Sequence, residues 1–241
     1  MSSDVEPKPP IWARPEPRSR GQRGALSRVE IVQTALKIAD SEGLAEVSIR
    51  RLARELRAGA MSLYHYFDSR DEILDLMADA VAASMVVPDL PSDWRAALRE
   101  LATHSRTTFL AHPWMLLTLQ ERPRVTPNLL RHIEQSAQSV AGLAEQGVSP
   151  DLLAGIVTSV DDYTIGFTLR EIANGGGPDR GQRVATRFQN AWDEPHIRYL
   201  LESGEFPMLL RFVTSGEPLR TQSFEVGLDW LLDGFEASLR R

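Results

Sequence analysis

The chain has no cysteine among its 241 residues, which excludes disulfides, thiolate metal sites and thiol nucleophiles at once. Long apolar runs are missing as well. No stretch approaches the roughly 18 to 20 residues that a membrane-crossing helix needs, so no membrane partner is expected. Where a secretory leader would carry its apolar core, the first residues carry proline and arginine, and a cytoplasmic location is expected. Catalytic spacings are absent too. The five histidines, His65, His104, His112, His132 and His196, show no HExxH arrangement. The run Gly175-Gly176-Gly177 is not followed by the Lys-Ser/Thr of a phosphate loop. Neither a nucleophile elbow nor a paired-carboxylate site is visible. The chain is therefore not expected to be an enzyme, and no cofactor or metal is expected.

What is present is uneven charge. The net charge of −6 conceals a basic N-terminal quarter. From Arg14 to Arg70 there are 11 Lys and Arg against 7 Asp and Glu, whereas from Asp71 onward there are 15 against 24. A basic module on an acidic body suits a protein that meets nucleic acid through one part only.

Helical periodicity dominates the rest, with no alternating strand pattern and no internal repeat, so the fold is expected to be all-α. Residues 1–26 are rich in proline and expected to be a disordered basic arm, in which Arg14, Arg18, Arg20 and Arg23 are available to phosphates. A first helix follows Ser27, with Ile31, Ala35, Ile38 and Ala39 on its apolar face and Gly43 just past its end. Ser48 is placed to cap a second helix carrying Ile49, Leu52, Ala53 and Leu56. A third is expected at 60–66, and a fourth at 70–84 after Asp68 or Ser69. Prolines 88 and 91 end that module. Further helices are expected at 92–110, 113–120, 126–145, 150–173, 183–203, 206–214 and 221–239.

The segment from Ser27 to Leu76 is the most informative. Two short helices joined by a tight turn have too little apolar surface to form a core alone, and they suit insertion into a DNA groove. Leu63 and Phe67, four residues apart, form the packed face of the third helix. Ala60, Met61, Ser62, Tyr64 and Tyr66 are left to meet DNA, with Ala60 and Met61 at the groove-entering end, where an apolar group meets a thymine methyl.

Residues 31–74, IVQTALKIADSEGLAEVSIRRLARELRAGAMSLYHYFDSRDEIL, resemble the N-terminal pattern of the tetracycline-repressor (TetR) family, most specifically in Leu63-Tyr64-x-x-Phe67 with Arg70 three residues later. FPMLLRFVTSGEP and SFEVGLDWLLDGFEASL, between 206 and 239, resemble the last two helices of the tetracycline-repressor-type ligand domain. The resemblance implies a helix-turn-helix DNA-binding domain over 27–86 and a helical ligand-binding and dimerisation domain over 92–241. It implies a ligand-responsive regulator, most simply a repressor, that binds a palindromic double-stranded operator as a homodimer. Tyr64, Tyr66 and Arg70 would bond phosphates, and Arg50 a base or a phosphate. The helices at 150–173 and 221–239 would form the dimer interface, where Gly155 and Gly166 allow close approach and Leu228, Leu231 and Phe235 supply apolar area.

Two departures from the family pattern stand in the turn. Arg57 occupies a position usually given to glycine, and Gly59 replaces the usual Ser or Thr cap, which predicts a shifted or looser turn. A helical interaction protein with weakened DNA binding is the alternative function that this departure suggests. In the body, His104, Phe109, Trp114, Met115, Leu116, Leu119, Tyr163 and Phe167 are candidates to line a pocket for a small, largely apolar effector, because aromatic and Met side chains offer large contact area. Aligned on Trp94, Leu101 and Ser105 stand where tetracycline repressors have an Asn and a Phe, and the region near Thr118 lacks their metal-binding His. A magnesium–tetracycline effector is therefore not expected. Asp161 and Asp162, mid-helix and without a cation three or four residues away, call for an inter-helix ion pair or an effector contact.

Overall fold

The computed structural model describes residues 8–17, 26–116, 125–175, 190–214 and 222–240. All regular elements among them are helical. A short 3-10 turn, Ile11–Ala13, precedes α1 (Arg28–Glu42), and a second, Leu44–Glu46, precedes α2 (Ile49–Glu55) and α3 (Ala60–Leu63). Then come α4 (Arg70–Ala83), α5 (Trp94–Ala111), α6 (Pro127–Ser139), α7 (Ala141–Glu145) and α8 (Pro150–Ala173). The series closes with α9 (Pro195–Glu202), α10 (Pro207–Thr214) and α11 (Phe224–Leu239).

Local chemistry sets the first boundaries. The Ser27, Ser48 and Ser69 hydroxyls each accept a backbone N–H three residues on, from Glu30 at 3.1 Å, Arg51 at 3.2 Å and Glu72 at 3.4 Å. These are the capping bonds that an exposed first turn otherwise lacks. Gly43 ends α1 at φ +96°, a conformation that costs glycine little. The helix expected at 126–145 is two pieces, broken at Val140, and the part of 113–120 beyond Leu116 lies outside the described residues, as does 183–189.

The chain divides into two compact units, Met1–Val157 and Thr158–Arg241, with the division inside α8. Helix α4 packs on α1 and, more extensively, on α6, so the first unit holds the DNA module together with the first helices of the body. Its buried side chains, among them Ile31, Leu52, Leu63, Phe67, Ile73 and Met77, are almost wholly removed from water. Each contributes about 1.5 to 3 kcal/mol.

The second unit is built on an aromatic cluster. Tyr163, Phe167 and Phe224 have ring centroids 5.4 to 5.7 Å apart, and the Tyr163 hydroxyl donates to the Phe224 carbonyl at 2.9 Å. Gly227 faces this cluster so closely that a Cβ there would lie 2.2 Å from the Tyr163 oxygen. Thr164 and Thr168 are buried because their hydroxyls donate to carbonyls four residues back, at 2.7 and 2.6 Å.

Asp161 and Asp162 form no ion pair with any described residue. Partial burial, and next the Asp162 charge, push the Asp161 carboxyl up to about 6, although more than a third of the residue stays in contact with water and screens the effect. The folded state thus holds this proton more tightly than the unfolded chain, whose Asp titrates near ~3.9. Its effect on stability is unfavourable at neutral pH and vanishes as pH falls below that lower value. Asp161→Asn is expected to raise the unfolding temperature at pH 7.5 more than at pH 4.5, measured by calorimetry against the wild type. An equal change at both pH values would contradict this.

Candidate nucleic-acid interface

The turn between α2 and α3 is closed by two bonds: Ala58 N–H donates to the Ala53 carbonyl at 2.9 Å and Arg57 N–H to Arg54 at 3.3 Å. These are the paired bonds of a Schellman stop, which needs a left-handed residue between them. That residue is Arg57, at φ +52°, the single non-glycine residue with positive φ among those described. The turn is therefore neither shifted nor loosened, since Arg57 adopts the glycine-like conformation itself at a cost of about 1 to 2 kcal/mol. Gly59, at φ −71° and ψ 140°, uses none of glycine's freedom.

Regular helix in α3 is only four residues long, with turns continuing to Tyr66. Leu63 and Phe67 are buried as expected. Met61 is 80% exposed and Tyr64 50%, Ser62 is exposed and Ala60 half-buried. On α2, Arg50 points to solvent without a hydrogen-bond or ion-pair partner among the described residues. Arg51 differs, because Glu42 at 2.7 Å and Glu55 at 2.5 Å hold it.

Two expected phosphate ligands are used inside the protein. Tyr66 is buried, and its hydroxyl donates to the Leu26 carbonyl at 2.6 Å. Arg70 is half-buried, donating Nε to the Val47 carbonyl at 2.5 Å and Nη2 to Leu44 at 2.8 Å. A third residue, which the sequence pattern did not single out, works with them. Arg28 is buried and donates Nε to the Tyr66 carbonyl at 3.2 Å. Tyr66 and Arg70 thus brace α3 from inside, while Arg50, Met61, Ser62 and Tyr64 remain exposed and Ala60 half-buried.

The body residues fall into separate groups. In the first unit Phe109, Trp114, Met115 and Leu116 are buried. The Trp114 indole N–H donates to Asp40 on α1 at 2.8 Å, and His112 Nδ1 lies 2.8 Å from the same oxygen. His104 does not join them, because it sits half-exposed against the Glu100 carbonyl on its own helix. Leu119 lies outside the described residues. Tyr163 and Phe167 belong to the aromatic cluster of the second unit. Missed by the sequence reading is a buried polar seam: His132, Ser136 and Ser139 on α6, with Ser105 and Thr108 on α5. Ser105 Oγ is 3.5 Å from His132 Nε2, whereas Nδ1 makes no hydrogen bond to a described residue. Burial holds the His132 pKa below its ordinary value, against an opposing pull from the Met85 backbone. Its signal was the i, i+4, i+7 spacing of polar residues on an otherwise amphipathic helix.

Of the expected interface residues, Gly155 and Gly166 have open space where a Cβ would stand. Leu231 and Phe235 are half-buried, but Leu228 is wholly buried within its own chain and belongs to the core. The uncovered apolar face of α11 is instead Val226, 43% exposed, and Trp230, 63% exposed, one turn apart.

This arrangement defines a helix-turn-helix DNA-binding regulator. Residues 31–77 match the family described as bacterial regulatory proteins, tetR family, and residues 87–239 match the tetracyclin repressor-like C-terminal domain. The chain belongs to the TetR family of transcriptional regulators, a family of non-enzymes that act as homodimers on DNA. It is 31% identical over 230 residues to the HTH-type transcriptional repressor DrrR1 of Streptomyces coeruleorubidus, covering 94% of this chain and 83% of that protein. An HTH-type transcriptional regulator of Saccharopolyspora erythraea is 30% identical over 232 residues, covering 95% and 92%. Among solved structures, ActR from Streptomyces coelicolor in complex with actinorhodin superposes with a TM-score of 0.68 at 28% identity, covering 90% of this chain and 99% of that one.

Two substitutions separate the roles within the turn and its support. Arg57→Gly is expected to stabilise the protein by about 1 kcal/mol by relieving the left-handed backbone, read from urea unfolding. Tyr66→Phe is expected to cost about 1 to 2 kcal/mol in the same measurement, because the Leu26 carbonyl loses its donor. A Tyr66→Phe protein of wild-type stability but weakened DNA binding would return Tyr66 to the phosphate-contacting set.

Proposed function

We propose that the chain represses transcription from the cytoplasm by seating Ala60, Met61, Ser62 and Tyr64 in the major groove, with Arg50 on a base or phosphate beside them. The observation that carries this reading is the division of α3 and the turn after it, where Leu63 and Phe67 are buried while Met61 and Tyr64 are exposed. The intact turn at Arg57 removes the ground for a non-DNA-binding interaction protein. Two-fold pairing through the faces of α8 and α11, with Gly155, Gly166, Leu231, Phe235 and the exposed Trp230, supplies the second recognition segment that a palindrome requires.

The signal is a small, largely apolar molecule bound in the helical body, and the complex of ActR with actinorhodin supports a small molecule in that role. Phe109, Trp114 and Met115 offer apolar contact within the first unit; Tyr163 and Phe167 offer a separate apolar cluster within the second. The buried seam of His132, Ser105 and Thr108 offers polar groups to a hydroxyl or carbonyl of the effector. Leu101 and Ser105 stand where tetracycline repressors have an Asn and a Phe, and the region near Thr118 lacks their metal-binding His, so release is independent of magnesium.

The test uses a duplex from immediately upstream of the chain's own gene. Arg50→Ala and Tyr64→Phe are each expected to weaken binding by about 1 to 3 kcal/mol without changing thermal stability. Wild-type affinity is expected to fall steeply with salt as counterions are released. Undiminished binding by both variants would remove the assigned face.

A further inference from the structure

Residues 8–17, expected to form part of a disordered arm, instead lie along α1 and the first turn of α4. Ile11 anchors them, only 2% exposed. Arg14 spends its whole guanidinium within the protein. Nε donates to the Pro9 carbonyl at 2.9 Å, Nη1 to Asp68 at 3.1 Å, and Nη2 pairs with Glu72. Lys8 adds a second cation on Asp68 at 2.9 Å. Buried Arg28 ties the strap down from the other side, donating Nη1 to the Arg14 carbonyl at 2.8 Å and its backbone N–H to Glu16 at 2.7 Å.

Position gives these pairs their meaning. Asp68 directly follows Phe67 and lies four residues past Tyr64, so the carboxylates of Asp68 and Glu72 stand at the exit of the DNA-facing segment. Glu72 is needed there, since its other oxygen accepts the Asp68 N–H at 2.7 Å and completes the cap of α4. Asp68 is 49% exposed and its pKa is held down by Lys8 and then Arg14, so it stays ionised and repels phosphate unless a cation cancels it.

We propose that Arg14 is a positioning residue for DNA binding, acting by holding and neutralising Asp68 and Glu72 beside the recognition segment and not by touching DNA itself. The Arg14–Glu72 pair is the sheltered one, with side chains 19% and 14% exposed. It keeps its geometry in solution better than a fully exposed pair does. This inference rests on the DNA-binding reading above, and the closing experiment separates the two.

Binding of a nonspecific duplex and of the upstream fragment is measured for wild type, Arg14→Gln, Asp68→Asn and the double variant, at a temperature where thermal melts show all four folded. At low salt Arg14→Gln is expected to bind about three- to tenfold more weakly. That deficit should shrink as added salt shortens the Debye length. Asp68→Asn alone is expected to tighten low-salt binding by a comparable factor, because removing one carboxylate leaves Lys8 and Arg14 in excess over Glu72. In the Arg14→Gln background the same substitution should restore binding to within twofold of wild type. Failure of Asp68→Asn to restore binding in the Arg14→Gln background would place Arg14 on phosphate directly and overturn the proposal, and so would wild-type affinity in Arg14→Gln. A wild-type protein that binds neither duplex would instead refute the DNA-binding reading.

Discussion

The segment that enters DNA is too short to hold its own shape. One turn of regular helix cannot repay the entropy of its nucleation, so the rest of the DNA module is organised around fixing four residues from outside. Leu63 and Phe67 supply the apolar anchor. Direction comes from side chains bonding backbone carbonyls: Arg28 to Tyr66, Tyr66 to Leu26, and Arg70 to Leu44 and Val47. Each bond reaches across at least 23 residues, so it constrains the segment relative to α1 and α2 and not merely to itself. A charged donor on a shielded carbonyl is among the stronger hydrogen bonds available. That is why two arginines and a tyrosine are committed to the interior of so small a module.

That commitment changes how the charge of the chain is read. The basic surplus before Arg70 pointed to DNA, yet Arg14, Arg28, Arg51 and Arg70 all have protein partners. The cations left facing outward on α2 and its turn include Arg50, Arg54 and Arg57. Net charge pointed to the module without separating inward from outward arginines, since an arginine counts equally whether it faces solvent or a carbonyl. Phosphate affinity then depends as much on cancelling Asp68 and Glu72 as on adding positive charge.

What the sequence made legible was local. Caps at Ser27, Ser48 and Ser69 and the stop at Gly43 involve residues within four positions of each other, and the periodicity of α1 marks its buried face directly. The all-helical fold and the span of α8 follow from the same rules. What escaped it was tertiary. Nothing near Tyr66 announces that Leu26, forty residues away, needs its hydroxyl, and a proline-rich stretch gives no sign that Ile11 has a site on α1 and α4 to fill. Arg57 lies between these cases. The family resemblance flagged the position, but only the backbone shows that arginine takes up the left-handed conformation and leaves the turn unmoved. Leu228 was misjudged for a similar reason, because an apolar residue on an interface helix looks the same whether it faces its own chain or another.

Regulation adds one further demand, a path from the body to the recognition segment. Within the first unit α4 supplies one, since it packs on both α1 and α6. Asp40 supplies a second and more specific one, near the end of α1 and accepting from the buried Trp114 indole. A ligand that displaces Trp114 must either drag α1 with it or break the indole's bond to Asp40 and leave that carboxylate to His112 and water. An effector lowers DNA affinity only to the extent that it binds the altered arrangement more tightly than the competent one. A hydrogen bond that exists in one arrangement and not in the other is a means by which such a difference arises. In the proposed function, the indole that offers apolar area to a ligand is the one fastened to the helix that carries the DNA module, so that binding and release share one side chain.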